Sequence, residues 1–330
     1  MLTPKENFIE TIKGGRPDRF VNQFEYVNMI FDPIVFGALG TITPGDSAIN
    51  NWGVTIVFPE GAPGPMPVHT HDKIVIKDIT NWKNEIRMQD PHSIPPEAWI
   101  PFDEMSKREN PENYLNACLV GPGILDKTHY HMGMEGALIS FLAEPKAMHE
   151  LIDYFTEWEI ECARIQIDRY RPDALFHHDD WGSQSKLLIS PTTFREFIAP
   201  AYKKIYGFWR SKGVDIIIHH SDSYAADLVP DMIDLGIDVW QGAVSENNIP
   251  ELLRKYGGKI SIQGGIDNGK YDVPDWTKEK IQDCLKTLFE TAGSRFLIPS
   301  FTSGMAGTYY SGAYDAASEA IDYFSKIYFM

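Results

Sequence analysis

The chain has 330 residues, of which 43% are hydrophobic and 12% aromatic, so it is long enough for one large barrel or two ordinary domains. Its net charge of −16 argues against nucleic acid and anionic membranes as partners. Its three cysteines are far apart and form no CxxC motif, which argues against a disulfide framework and a thiolate-only zinc site and favours a reducing, cytoplasmic location. No apolar run reaches the roughly 18 residues of a membrane helix, so we expect no span.

The first predicted element is a short helix over residues 3–14, which Thr3 caps and the Gly14-Gly15 pair ends. Residues 20–110 are less regular, and we predict a strand over residues 20–27 followed by long loops and a few short strands. Long loops in a compact domain are often binding elements. We therefore expect residues 1–110 to form an irregular amino-terminal part with loops over the barrel mouth.

From about residue 114 onward, predicted strands and helices alternate. Apolar runs with a β-branched or aromatic bias predict strands at residues 116–120, 174–178, 215–219, 238–241, 259–263 and 295–299. Amphipathic stretches predict helices at residues 145–170, 191–212, 224–235, 249–256, 276–292 and 316–327. This alternation indicates a parallel sheet, and the number of units favours a closed (β/α)8 barrel over an open sheet.

The barrel is predicted to fill residues 1–330 as a single domain. A GxGxxG run after a strand and a GxxxxGK[ST] run are both absent from the sequence, which argues against the nucleotide-binding folds.

Two histidine pairs end predicted strands, and each is followed closely by acid. The runs are His177-His178-Asp179-Asp180 and His219-His220-Ser221-Asp222. In (β/α)8 barrels, the active site lies at the carboxyl ends of the strands, and polar residues there are candidates for catalysis. The alternative is that such histidines only satisfy backbone groups at strand ends. Because two similar runs occur, we favour the functional interpretation.

His220 and Asp222 are the pair that most favours a metal. A neutral imidazole and a carboxylate two residues apart on a loop can share one divalent cation, with a third ligand from another strand end. The alternative is a hydrogen bond between them that fixes one tautomer of the imidazole. Other polar residues at predicted strand ends are Glu25, Gln241 and Gln263.

Two His-x-His pairs, His69-x-His71 and His129-x-His131, share the spacing of residues on one face of a strand. Neither pair ends a clear buried strand, so we interpret them as loop residues, either on the surface or in contact with substrate. Tyr310 follows the last predicted strand, and we interpret it as a residue that lines an apolar pocket. The alternative is that its ring packs against a helix, which is the usual role of such residues.

Several of these residues lie in runs that resemble the uroporphyrinogen decarboxylase-like superfamily. The runs are DDWGSQ at residues 179–184, LISP at 188–191, FREFIAP at 194–200, IHHSD at 218–222 and LVPDMIDLGID at 228–238. The resemblance implies a (β/α)8 barrel. One branch of the superfamily decarboxylates uroporphyrinogen without a cofactor, and another moves methyl groups to or from a corrinoid protein.

The resemblance favours the methyltransferase branch. Decarboxylases of the superfamily carry an arginine-rich amino-terminal motif that binds substrate carboxylates, whereas residues 22–27 here read NQFEYV, without arginine. Methyltransferases of the superfamily hold zinc through His-x-Cys and a later cysteine. His220 matches that histidine, Asp222 stands in place of the first cysteine, and residues 297–302 contain no cysteine. Histidine and carboxylate ligands suit oxygen, so the departure implies an oxygen-bound methyl donor.

We therefore expect the methyltransferase component of an O-demethylase, which moves a methyl group from a methyl ether, such as a methoxylated aromatic, to the corrinoid of a partner protein. The expected cofactor is a divalent metal, zinc, on His220 and Asp222. The alternative functions are a uroporphyrinogen decarboxylase and a non-catalytic small-molecule binding barrel. A homodimer is one candidate for the oligomeric state. The expected catalytic residues are His178, Asp179 and Asp180. The expected substrate contacts are Glu25, which is also the candidate third metal ligand, His131, His177, Gln241, Gln263 and Tyr310.

Overall fold

The computed structural model describes residues 1–40, 42–62, 64–107 and 110–329. In these residues, ten strands form two sheets. The strands are β1 Val27–Ile30, β2 Ser47–Ile49, β3 Thr55–Val57, β4 Met66–Pro67, β5 Leu115–Val120, β6 Ala174–His178, β7 Ile216–His220, β8 Val239–Ala243, β9 Ser261–Ile266 and β10 Leu297–Phe301. The larger sheet has the order β1-β5-β6-β7-β8-β9-β10 and is parallel throughout, whereas β2, β3 and β4 form a small antiparallel sheet.

The helices lie before and between these strands. They are α1 Pro4–Lys13, α2 Pro33–Leu39, α3 Trp82–Glu85, α4 Pro96–Met105, α5 Ile124–Met132, α6 Met134–Ala143, α7 Pro145–Tyr170, α8 Pro191–Thr193, α9 Ala199–Ser211, α10 Val229–Asp234, α11 Ile249–Tyr256, α12 Asn268–Tyr271, α13 Lys278–Ala292 and α14 Ala313–Tyr328. Among the helices of the described residues, none combines the length and the apolar composition that crossing a bilayer requires.

The predicted α/β fold is confirmed as barrel-like, with a curled parallel sheet of seven strands in the described residues and helices outside it. Strand residues are buried on both faces, because one face lines the barrel interior and the other packs against the helices, which explains the continuous apolar runs of the sequence. In the described residues, β1 and β10 are the edges of the hydrogen-bonded ladder. The Tyr26 hydroxyl donates to Gln263 Oε1 at 2.8 Å, and the Gln263 amide donates to the Gln23 carbonyl at 3.3 Å, so side chains link the segment before β1 to β9, the neighbour of β10.

The strand predicted over residues 20–27 is wrong. The backbone at Gln23 takes a φ of 55°, and the Val27 amide bonds the Phe24 carbonyl at 3.2 Å, so a turn separates the buried Phe20 and Val21 from β1. Phe20 and Val21 are buried, as the apolar pattern indicated, but the backbone turns at Gln23 instead of continuing as a strand.

The helix predicted over residues 191–212 is present with a π-helical segment at Phe194–Ile198. Pro200 lacks an N–H and its ring crowds the carbonyl four residues earlier, so the regular ladder cannot continue through it. The Ala199 amide bonds the Phe194 carbonyl instead, which absorbs the irregularity.

Candidate functional site

The two histidine pairs are divided by the pleat of the sheet. β6 and β7 are adjacent and in register, with His177 opposite His219 and His178 opposite His220. Because successive side chains point to opposite faces of a sheet, each pair places one imidazole on each face. The His220 ring stacks on the interior residue Phe176 at 6.0 Å, and the His178 and His220 rings are 4.6 Å apart. One histidine from each pair therefore faces the barrel mouth, the end where the strands' carboxyl termini meet.

His178, Asp180 and His220, which we call the mouth cluster, form a candidate metal centre. One donor atom from each residue lies within 4.8 Å of the others, and His178 Nε2 is 3.5 Å from Asp180 Oδ2. Two imidazoles and one carboxylate match the ligand preferences of zinc and similar divalent ions. Three protein ligands also leave a coordination position open for a substrate oxygen. The donor set thus fits the metal that the sequence predicted.

Gln241 fixes the orientation of the His220 ring. Its amide nitrogen donates to the carbonyls of Thr302 and Ser303, each at 3.2 Å, so its Oε1 is the atom that faces His220. That oxygen can only accept, and therefore His220 Nδ1 carries the proton in a short hydrogen bond. Burial and the positive charge of His178 lower the pKa of His220 to about 4, so the imidazole is neutral. Its Nε2 lone pair is left free for a metal.

Replacing Gln241 by leucine is expected to weaken zinc binding at the mouth cluster by about 10–100-fold, the usual effect of losing the partner that orients a ligand. Gln241→Glu keeps an oxygen acceptor for Nδ1 but loses the donor to the Thr302 and Ser303 carbonyls, so its zinc affinity should lie between those of the wild type and the leucine variant. Zinc titration monitored by calorimetry measures both variants. Equal affinities for the leucine and glutamate variants would contradict this role for Gln241.

Negative charge surrounds His178. Asp126 Oδ2 lies 3.8 Å from His178 Nε2, and the Asp180 carboxylate lies nearer. Desolvation opposes a charged imidazole here, but the hydrogen bond to Asp180 and the charges of Asp180, Asp126 and Asp222 outweigh it and raise the pKa of His178 to about 10. The same field attracts a divalent cation, which must displace the His178 proton in order to bind.

Asp222, a predicted metal ligand, lies beside the mouth cluster and outside the three-donor group. Its backbone amide donates to Asp180 Oδ1 at 3.0 Å, and its side chain is exposed. The surrounding protein and the charge of Asp180 raise the pKa of Asp222 to about 7. The structure thus brings Asp180, predicted as an acid, into the donor group and leaves Asp222 as the free carboxyl at its edge.

Asp179, a predicted catalytic residue, anchors the start of α5. Its carboxylate accepts from the backbone amides of Leu125 and Asp126 at 3.0 and 2.8 Å, from Trp181 Nε1 at 3.0 Å and from the Tyr202 hydroxyl at 2.5 Å. A carboxylate at a helix amino terminus also complements the helix dipole. Burial and the charge of Asp126 raise the pKa of Asp179 to about 7 against these four donors. Fully buried and fully occupied, it does not reach the mouth.

His177, a predicted substrate contact, belongs to a buried ion-pair network on the helix side of the sheet. Its Nε2 lies 2.5 Å from Glu159 Oε1, and Glu159 Oε2 lies 2.7 Å from Lys127 Nζ. Lys127 also donates to the Pro122 carbonyl at 2.6 Å. His177, Glu159 and Lys127 are almost wholly inaccessible to solvent, so this network fixes the loop after β5 rather than touching a substrate.

The remaining predicted substrate contacts are not brought to the mouth cluster. His131 is fully buried against the Trp52 and Phe155 rings, and Glu25 binds Arg19 at 3.4 Å and the Asn22 amide at 3.1 Å. Gln263 is held by Tyr26, and the Tyr310 amide is bound by Asp272 at 2.8 Å. Glu25 is therefore not positioned as the third metal ligand.

Two residues near the site were missed in the sequence. Asp126 Oδ2 lies 3.8 Å from His178 Nε2. In the sequence, only the three-residue spacing of Asp126 and His129 on α5 points to a polar contact of Asp126. Gly304 packs against His220, where an added Cβ would lie 3.1 Å from two atoms of the ring. Neither contact can be recognised from a sequence motif, since each joins segments that are distant in the chain.

Comparison with known proteins places the fold and the family. A family model described as uroporphyrinogen decarboxylase (URO-D) matches residues 107–309, more than half of the chain. The chain belongs to the uroporphyrinogen decarboxylase family. Uroporphyrinogen decarboxylase of Geobacillus kaustophilus is 30% identical over 159 residues, which are 47% of this chain and 42% of that protein. The Bacillus anthracis enzyme is 31% identical over 129 residues, which are 38% of this chain and 33% of that protein. The chain thus matches less than half the length of these relatives.

A solved structure described as a methyltransferase from Methanosarcina mazei has the same fold. It superposes with a TM-score of 0.65 over 98% of this chain and 99% of that one, at 14% sequence identity. The predicted membership in the uroporphyrinogen decarboxylase-like superfamily is confirmed, and a methyltransferase shares the whole architecture.

Proposed function

We propose that the chain is the methyltransferase component of a corrinoid-dependent O-demethylase. In the proposed reaction, the carbon–oxygen bond of a methyl ether breaks, the methyl group passes to the reduced corrinoid of a partner protein, and the oxygen leaves with a proton as a phenol or alcohol. The observation that carries the proposal is the donor set of the mouth cluster, which is two imidazoles and one carboxylate. Such donors suit a metal that binds oxygen.

The main chemical task is to stabilise a poor leaving group. A divalent ion, which we expect to be zinc, would be held by His178, Asp180 and His220 and would polarise the ether oxygen as a Lewis acid. Gln241 keeps the His220 imidazole in the tautomer that leaves Nε2 free. The Asp126 carboxylate places negative charge 3.8 Å from His178 Nε2. These roles are performed by residues fixed before the substrate arrives, which is what electrostatic catalysis requires.

The leaving oxygen also needs a proton, and Asp222 is the acid at the edge of the mouth cluster. It is exposed, lies outside the three-donor group and is tied to Asp180 through its backbone amide at 3.0 Å. A carboxyl in this position can reach a ligand held by the mouth cluster. We therefore assign proton transfer to Asp222 and metal binding to the other three residues.

Other observations support methyl transfer over decarboxylation. A polycarboxylate substrate needs fixed cations, but residues 22–27 contain no arginine, and the nearby Arg19 pairs with Asp18 at 2.7 Å. The three cysteines lie apart from the donor set, with Cys118 and Cys162 buried in the core and Cys284 on α13. The curated relatives favour uroporphyrinogen decarboxylation as the second candidate, since they carry that name.

The test is a comparison of the two reactions on one preparation. Zinc-loaded protein is mixed with methoxylated aromatic compounds and free cob(I)alamin as the methyl acceptor, and in parallel with uroporphyrinogen. We expect loss of the Co(I) absorbance together with release of the phenol, and no change in uroporphyrinogen. Turnover of uroporphyrinogen without any demethylation would overturn the proposal in favour of the decarboxylase.

The Asp222→Asn variant is expected to show a rate loss that depends on the leaving group. A general acid contributes about 10²–10⁴-fold, so methyl ethers of ordinary phenols should lose roughly 10²-fold or more. Methyl ethers of nitrophenols, which leave readily as anions, should lose much less. Demethylation rates across a series of substituted methoxybenzenes measure this. The exposed Asp227→Asn variant is the control, and an equal loss for every ether would argue against proton transfer by Asp222.

A further inference from the structure

We propose a second divalent-metal site, formed by His69 and His129 between α5 and the loop that precedes α3. His129 Nδ1 lies 3.5 Å from His69 Nε2, and the two rings are nearly perpendicular at 84°. This separation is long for a hydrogen bond between nitrogens, which is usually about 2.9–3.0 Å. Two zinc–nitrogen bonds of about 2.0–2.1 Å at a tetrahedral angle place their nitrogens roughly 3.3 Å apart. The pair is therefore spaced as two ligands of one ion.

Asp126 supplies the outer partner that a metal-binding histidine usually has. Its Oδ1 lies 3.0 Å from His129 Nε2, and the carboxylate is almost fully buried. The carboxylate accepts a hydrogen bond from the protonated Nε2, which leaves the lone pair of His129 Nδ1 directed towards His69. The arrangement of carboxylate, imidazole and open nitrogen is the one that orients histidine ligands of zinc.

The site is open to an ion from solvent. His69 is exposed, and a groove of about 570 Å³ is lined by His69 and His71, so solvent reaches the pair. The chain's net charge of −16 also favours a cation.

The loop that carries His69 is held in place before any ion arrives. The backbone amides of Val75 and Ile76 both donate to the His131 carbonyl, at 2.9 and 2.8 Å. His69 on the loop and His129 on α5 therefore meet on a fixed frame, as ligands of a preformed site do. A bound ion would join the loop to the helix whose first residues Asp179 anchors.

This second site shares no ligand with the mouth cluster, although Asp126 contacts both His129 and His178, so variants of the ligands themselves separate the two sites. The test is therefore a binding measurement. Metal-free full-length protein is titrated with zinc, and the bound zinc is counted by elemental analysis after gel filtration. We expect two equivalents for the wild type, one for His129→Gln and one for His69→Gln. His220→Gln should also bind one, and the combination of His129→Gln with His220→Gln should bind none.

The variants distinguish a metal site from a hydrogen-bonded pair. His69 is exposed, so His69→Gln should fold like the wild type, and its thermal unfolding checks this. His71→Gln changes a groove histidine outside the pair and should keep two equivalents. His92→Gln, an exposed histidine paired with Glu161 at 3.3 Å, is the control and should keep two equivalents. Unchanged zinc stoichiometry in both His69→Gln and His129→Gln would overturn the proposal and leave only a histidine hydrogen bond.

Discussion

Replacing His220 by glutamine is expected to lower the methyl-transfer rate by about 10³-fold or more. A metal at an oxygen leaving group supplies several kcal/mol of charge stabilisation, and each 1.4 kcal/mol corresponds to about tenfold in rate. The variant removes the Nε2 donor that Gln241 leaves free for the metal. Single-turnover demethylation of a methoxylated aromatic with cob(I)alamin measures the loss.

The His220 result is interpreted against folding and against a matched histidine. His92→Gln changes an exposed imidazole far from the mouth cluster and should keep the wild-type rate. Because the His220 ring is buried and bonded to Gln241, thermal unfolding is measured beside the rate, to verify that the variant is folded under the assay conditions. A His220→Gln variant that folds and retains full activity would contradict a metal-binding role for this residue.

Replacing Lys127 by methionine is expected to give the largest loss of stability, about 3–5 kcal/mol in the free energy of unfolding. Lys127 and Glu159 form a salt bridge of 2.7 Å with 1% of either side chain exposed. Removing the lysine leaves a buried carboxylate with His177 as its remaining partner at this contact. Urea unfolding measures the difference, and Lys83→Met, which breaks the exposed pair with Glu150, is the control. An exposed pair contributes roughly 0–1 kcal/mol.

The same pair predicts a dependence of stability on pH. Burial alone would raise the pKa of Glu159, but the charges of Lys127 and His177 outweigh it and lower that pKa from 4.5 to about 2. An acid with a lowered pKa in the folded state stabilises the fold above its unfolded pKa and loses that contribution as the pH falls through the folded value. Wild-type stability should therefore fall between pH 4.5 and pH 2. A Lys127→Met variant with the same pH dependence would contradict this.

The barrel could be predicted because its signals are local. The apolar runs that end at His178 and near His220 have the composition of strands buried on both faces, and the structure contains β6 and β7 there. The strand predicted over residues 20–27 failed because a turn at Gln23 interrupts a stretch whose burial is nevertheless real. Apolar composition indicates burial and does not determine backbone conformation.

The site could be predicted only in part. The histidine runs were recognised, and the two-residue period of a strand already implies that each pair must divide between two faces. The donor group contains Asp180 and not Asp222. It combines His178 and Asp180 of the first run with His220 of the second, because β6 and β7 are adjacent in the sheet. Asp126 could not be predicted, since its contact with His178 spans about 50 residues and depends on the packing of α5 over the sheet.

The central claim is that His178, Asp180 and His220 hold one divalent ion at the barrel mouth with nitrogen and oxygen donors alone. Anomalous diffraction at the zinc absorption edge, from crystals of the zinc-loaded protein soaked with a methoxylated aromatic compound, tests it most directly. We expect an anomalous peak in contact with His178, His220 and the Asp180 carboxylate, with the ether oxygen completing the coordination. A zinc-loaded crystal with no anomalous peak at these three residues would contradict the claim.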